Sequence, residues 1–231
     1  MGENGSGKST LLEAIAVAAG ASTAGAYDVA EDVTLAGARR LAATLVLSRK
    51  GRPRACLFFR AEDAFGFTRR IADDMQGIDA EVDAILADER ASPQARRRAA
   101  GHVRAQRLAL AAGYGEDPHA QSHGETFFAI LQRRIAAPGL YLFDEPETPL
   151  SPTRVLPLLA LVHAAAAEGS QFIIATHSPI LAALPGAHIL LFERGHIRTA
   201  AYDDLENVRV TRDFLAAPQR YLRHLIDEDG R

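Results

Sequence analysis

Met1-Gly2-Glu3-Asn4-Gly5-Ser6-Gly7-Lys8-Ser9-Thr10 opens the chain, and Gly2 to Ser9 fit the spacing G-x-x-x-x-G-K-[ST] of a phosphate-binding loop. The residue types follow from the chemistry. Glycines let the backbone curl so that successive N–H groups face phosphate oxygens. Lys8 supplies a compact positive charge for the β and γ phosphates, and the Ser9 hydroxyl is a Mg²⁺ ligand. Leu11, Leu12, Ile15 and Ala16 continue at helical spacing, with Gly20 as the stop. The loop therefore delivers its anion to a helix N-terminus, where the dipole favours negative charge. Of the 26 Lys plus Arg residues only Lys8 and Lys50 are lysine, so a chain that otherwise uses arginine keeps an ammonium in the loop.

Working outward, the bulk composition is that of a globular protein. The chain has 231 residues, 48% apolar content and a net charge of −3, enough for one large core and without an overall nucleic-acid signature. Cys56 is the single cysteine, which excludes a disulfide framework and a thiolate metal cluster and leaves a core thiol. The longest apolar stretch, Val155 to Ala167, contains Pro157 and His163 and is too short to span a bilayer. With no signal peptide ahead of the loop, the chain reads as cytoplasmic, with no membrane partner.

Alternating apolar runs and helical stretches give an α/β fold with a mainly parallel sheet flanked by helices. Ala55 to Arg60, Leu140 to Phe143 and Gln171 to Ala175 read as buried strands, and Thr44 to Ser48 is β-prone. Thr68 to Ala112 changes to Ala, Arg, Glu and Asp at helical spacing, a helical insertion in a single domain spanning 1–231. Arg96, Arg97, Arg98, Arg104 and Arg107 make its second half basic: a solvated face first, a nucleic-acid or protein contact second. Thr126 to Ala136 and Ser151 to Ala167 read as helices. Ile189 to Phe192 and Ile197 to Ala200 form a hairpin, and helices near Thr211 to Ala216 and Gln219 to Asp227 end the chain.

Three further motifs carry chemistry. Leu140 to Phe143 run into Asp144-Glu145, where Asp144 would hold Mg²⁺, directly or through water, and Glu145 would act as general base on the attacking water. Thr176-His177-Ser178 follows another strand end, the place where ligands gather in open α/β sheets. His177 there would hydrogen-bond the γ-phosphate or the water. Gln121-Ser122-His123-Gly124-Glu125 reads as a capping box, with Ser122 as cap and Glu125 reaching back. Ser122, Gly124 and the helix start also make a small anion site, which placed in trans would close over another subunit's γ-phosphate.

Together these motifs resemble the ABC-class ATPases, more specifically the soluble, transporter-free bacterial ATPases of the AAA-family kind, distantly like the SMC and RecF proteins. The resemblance rests on residues 2–10, Gln-Ser-His-Gly-Glu at 121–125, Leu-Phe-Asp-Glu-Pro-Glu at 142–147, Leu-Ser-Pro at 150–152 and Ala-Thr-His-Ser-Pro at 175–179, in the family's order. It implies a P-loop NTPase fold, ATP and Mg²⁺ as ligands, and two subunits that sandwich two ATP molecules head to tail. Ser122, His123 and Gly124 of each would face the other's Gly2 to Thr10 loop. The chain departs from the family in three places. His123 and Glu125 stand where transporter cassettes carry glycine and glutamine. Glu62 stands near the place of a glutamine. Only Met1 precedes Gly2, so the strand that should feed the loop, and any aromatic for the adenine, are missing from the sequence. In the family that strand lies between the one at 171–175 and the one near 189–192, so a gap is expected there.

The leading function is Mg-dependent ATP hydrolysis with nucleotide-driven dimerisation. The alternative is a slow-hydrolysing, nucleotide-gated module that acts on a partner protein or DNA. A kinase would need an acceptor pocket and an arginine lid, and would not need the signature or Glu145.

Overall fold

A computed structural model describes residues 1–3, 5–23, 35–49, 51, 53–116, 123–135, 138–193 and 195–226; for 62–65, 68, 123–126 and 224 it describes the backbone alone. Asn4, Gln121 and Ser122 of the sequence motifs lie outside the described residues, as do the side chains of Glu62, His123 and Glu125.

Helix α1 (Lys8–Ala19) leaves the loop at Gly7 and stops at Gly20, which takes a left-handed backbone (φ 67°) and donates its N–H to the Ala16 and Val17 carbonyls. Strands β1 (Ser22–Thr23), β2 (Ala55–Arg60), β3 (Gly139–Asp144) and β4 (Gln171–Ala175) form one parallel sheet in the order β1-β2-β3-β4. The apolar runs at 55–60 and 140–143 are continuous because both sheet faces are covered. Successive side chains point to opposite faces. Phe58 and Leu142 pack with Leu12, Ala16, Leu35 and Ala38, from α1 and from helix α2 (Ala36–Ala42) with Leu35 just ahead of it. Phe59, Tyr141 and Phe143 pack on the other face against Phe127 and Leu131 of helix α5 (His123–Arg134) and Leu158 and Val162 of helix α6 (Pro152–Ala167). Half-buried Cys56 joins the first of these clusters, and burial pushes its thiol above the ordinary range.

Between β2 and β3 stand helices α3 (Ala61–Ala87) and α4 (Pro93–Tyr114), held together through Val82, Ala100 and Val103. Ser92 caps α4 by accepting from the Ala95 N–H, with Pro93 at the first helical position. Arg97, Arg98 and Arg104 face solvent, whereas Arg96 donates to the Leu86 carbonyl and Arg107 pairs with Asp79 and Glu116.

Beyond β4 the chain makes a short helix α7 (Pro179–Ala182), a hairpin of β5 (Leu190–Glu193) and β6 (His196–Thr199), a single 3₁₀ turn at Tyr202–Asp204, and helices α8 (Glu206–Ala216) and α9 (Pro218–Leu225). β5 does not join the parallel sheet. Met1 runs beside it instead: Met1 N donates to the Leu190 carbonyl, the Phe192 N–H donates to the Met1 carbonyl, and Gly2 makes one parallel bridge to Phe192. Among the described residues a groove of about 650 Å³ lies between β4 and β5, its lining including Leu12, Ile15, Phe172, Ile174 and Leu190.

Four boundaries differ from the sequence reading. Residues 45–49 are irregular, not strand, because no neighbouring edge pairs with them. α3 starts at Ala61, directly from the end of β2, not at Thr68. α5 starts at His123 and is described to Arg134, not from Thr126 to Ala136. α8 starts at Glu206, not near Thr211, because Leu205 and Val208 are drawn into a cluster with Ala182.

Candidate active site

The loop, the end of β3 and the end of β4 meet at the carboxyl edge of the parallel sheet. The loop owes its course to its glycines. Gly7 precedes α1 with φ 90°. Gly2 takes φ 136°, and a Cβ there would lie 2.3 Å from the Phe192 carbonyl oxygen, so only glycine lets the loop pass so close to β5. Lys8 folds back over the loop. Its Nζ donates to the Gly2 carbonyl at 2.8 Å, the Glu3 carbonyl at 2.7 Å and Ser6 Oγ at 3.4 Å, and the residue is only 8% exposed. Burial pushes the Lys8 ammonium below its ordinary range, while Glu145 and then Asp144 pull it up. Thr10 is exposed on the first turn of α1.

One residue further, Ser9 Oγ donates to Asp144 Oδ1 at 3.1 Å, across 135 residues of chain. Asp144 is the last residue of β3, in register with Ala175 of β4. The ladder continues for one more bond, from the Glu145 N–H to the Ala175 carbonyl at 2.8 Å. There the chain turns. Glu145 takes φ +49°, the one positive φ outside glycine among the described residues, and the Thr148 N–H returns to its carbonyl at 3.0 Å. Glu145 Oε2 accepts from Thr148 Oγ1 at 3.4 Å, and Glu145 Oε1 lies 3.6 Å from His177 Nε2. That ring nitrogen is buried and has no hydrogen-bond partner among the described residues.

The structure thus brings Lys8, Ser9, Asp144, Glu145 and His177 to one place. Glu147 is a polar residue there that the sequence reading gave no role. Its Oε1 accepts from Thr176 Oγ1, the His177 N–H and the Ser178 N–H. The signal was present, since Glu147 closes the Asp-Glu-Pro-Glu run, but its partners lie about thirty residues away and are set only by the pairing of β3 with β4.

Asp144 is held at a cost. Burial pushes its carboxyl above the ordinary range, Glu145 and Glu147 push the same way, and the Ser9 hydroxyl and Lys8 oppose them. A raised folded-state pKa means that the folded chain keeps a proton where the unfolded chain has lost it. Stability then falls as pH rises through that window, and the ionised carboxylate at pH 7 destabilises the fold. Asp144→Asn keeps an oxygen for Ser9 and removes the charge. It is expected to unfold at a higher temperature than the parent at pH 7 without nucleotide. The difference should shrink once pH drops below the ordinary carboxylate range. Thermal unfolding at both pH values checks this, and an unchanged or lower midpoint at pH 7 contradicts it.

A serine hydroxyl and one carboxylate fit Mg²⁺, which binds through one or two protein oxygens plus substrate phosphates and not in an all-protein cage. Among the described residues no cluster of three His, Cys, Asp or Glu suited to a metal occurs. Nor, among them, is any helix long and apolar enough to cross a membrane.

Residues 126–183, from α5 through β3 and β4 into α7, match the family described as "AAA domain, putative AbiEii toxin, Type IV TA system". The chain is also 29% identical over 194 residues to the macrolide export ATP-binding/permease protein MacB of Rhodospirillum rubrum. That match covers 79% of this chain and 26% of MacB, so the chain spans about a quarter of that relative's length. Fold and loop agree with both likenesses: the chain is similar to an AAA domain and to an ATP-binding protein.

Proposed function

We propose that this chain hydrolyses Mg-ATP with the residues gathered at the carboxyl ends of β3 and β4. The Ser9–Asp144 hydrogen bond carries the reading, because it joins the phosphate loop to the acidic strand end. The triphosphate lies along Gly2 to Thr10, with loop N–H groups and the start of α1 as its anion site. Lys8 leaves the Gly2 and Glu3 carbonyls to neutralise the β and γ oxygens. Ser9 and Asp144 would hold Mg²⁺, which would supply charge neutralisation to the phosphates. Glu145 Oε1 takes the proton of the attacking water, and His177 Nε2, 3.6 Å from that oxygen, holds the water or the γ-phosphate from the other side. Chain 1–231 is read as one ATPase domain with α3 and α4 as its helical insertion.

Head-to-tail dimerisation belongs to the same proposal. Ser122, His123 and Gly124 of one subunit would complete the site of the other, at the start of α5. Ser122→Ala is expected to lower turnover by about 10²-fold, the loss typical of one donor to transition-state charge, against about 1 kcal/mol of stability for a lost cap. Mixing Ser122→Ala with Lys8→Ala chains gives heterodimers with one intact composite site. Recovery of turnover in the mixture above either variant alone supports the sandwich; no recovery at subunit concentrations that saturate dimerisation removes it.

A second reading, a slow switch acting on DNA or a partner protein, is favoured by the solvent-facing Arg97, Arg98 and Arg104. Turnover measured with and without DNA separates the two.

A further inference from the structure

His177 sits in an irregular segment just past β4, where neither the sheet ladder nor a helix satisfies its backbone. Side chains do so instead. Its N–H donates to Glu147 Oε1 at 2.9 Å, and its carbonyl accepts from Asn207 Nδ2 of α8 at 2.8 Å. The same Glu147 oxygen takes Thr176 Oγ1 and, at 3.0 Å, the Ser178 N–H, so three successive residues hang on one atom. Thr176 Oγ1 in turn accepts from the Ser178 N–H at 2.9 Å. Glu147 Oε2 is buried with no hydrogen-bond partner among the described residues, so this carboxylate is committed to the loop and not spread into solvent. Hydrogen bonds to an ionised acceptor are roughly twice as strong as neutral ones.

Glu147 belongs to the same turn as Glu145. The Thr148 N–H returns to the Glu145 carbonyl at 3.0 Å and the Leu150 N–H to the Glu147 carbonyl at 2.9 Å. One turn therefore presents two carboxylates to one histidine, Glu145 to its ring and Glu147 to its backbone.

We propose that Glu147 is a positioning residue that fixes the His177 ring against Glu145 by clamping the backbone of 176–178, with Asn207 as the second jaw. This rests on the reading of Glu145 and His177 given above. Glu147 touches neither the nucleotide nor the water; it acts through His177.

The test is a double-mutant cycle. Glu147→Ala is expected to lower kcat by roughly 10²-fold, as a misplaced reacting group does, and to leave the affinity for a non-hydrolysable ATP analogue within about twofold, since it leaves the loop at 2–10 untouched. Glu147→Gln keeps an oxygen for all three donors and should recover most of the rate. In a His177→Ala background, Glu147→Ala should cost nothing further. Asn207→Ala, a milder cut on the opposite side, should lower kcat by about tenfold in the parent and also have no effect without His177. It carries the test should Glu147→Ala fail to fold. Multiplicative losses in the double variants, or a Glu147→Gln protein as slow as Glu147→Ala, overturn the clamp. Parent-level turnover in His177→Ala alone overturns the role of His177 instead, and so marks the failure of the underlying reading apart from failure of the clamp.

Discussion

Lys8→Ala is expected to reduce kcat/KM for Mg-ATP by roughly 10²–10³-fold, the range for losing one preorganised charge from a phosphate site. Lys8 is the cation that the structure places inside the loop, buried to 8% exposure and bonded to two loop carbonyls. Its charge is held there against burial, with Glu145 and Asp144 pulling the other way. A buried ammonium set among carbonyls already pays for its desolvation, so an arriving phosphate meets a charge that needs no further stripping of water. Alanine opens α1 without penalty, since it is the best helix former. Far-UV circular dichroism of the variant should therefore match the parent while calorimetric titration shows weakened nucleotide binding. Equal affinity and equal turnover in Lys8→Ala and the parent would remove the loop from the mechanism.

Glu145→Gln separates binding from chemistry. Gln keeps the length, the backbone bond to Ala175 and an oxygen for Thr148, and gives up only the basic carboxylate. Removing a general base costs about 10²–10⁴-fold. The variant should hold ATP as tightly as the parent, turn it over slower by that factor, and accumulate as an ATP-bound dimer visible by size-exclusion chromatography. Single-turnover kinetics at saturating nucleotide read the chemical step directly. A rate within about threefold of the parent, set against that range, would place the base elsewhere. A slow variant that remains monomeric would leave Glu145 as base and remove the dimer.

Which parts of this site the sequence disclosed follows from how local each signal is. Gly2 to Thr10 and the run ending in Asp144-Glu145 are contiguous, and each determines its own backbone: glycines for the curl, four apolar residues for a strand buried on both faces. His177 was legible because it, too, closely follows a run of apolar strand residues. What sequence could not show is whatever depends on register. The bonds from Thr176, His177 and Ser178 to Glu147 exist because Asp144 pairs with Ala175, and no local pattern encodes that pairing. Thr44 to Ser48 failed the other way: β-branched and aliphatic residues suit a strand, but without a free edge beside them they remain irregular. The early start of α3 was hidden by Phe65, Gly66 and Phe67, which break the helical pattern in sequence although the helix runs through them, and Phe67 is buried there beside Ile71 and Met75.

The left-handed backbone at Glu145 has a consequence for anyone who would alter this protein. A residue other than glycine in that region costs about 1–3 kcal/mol, and the ladder bond to Ala175 and the return bond from Thr148 hold it there. Judged by folding alone, glycine or asparagine is the better choice at 145. A stability-guided redesign, or directed evolution screened for heat resistance, would therefore drift toward replacing this residue, and each round would be rewarded while the acid that points at His177 was lost. Position 145 has to be frozen by hand in any such campaign, because the criterion being optimised and the chemistry being kept pull in opposite directions at that one residue.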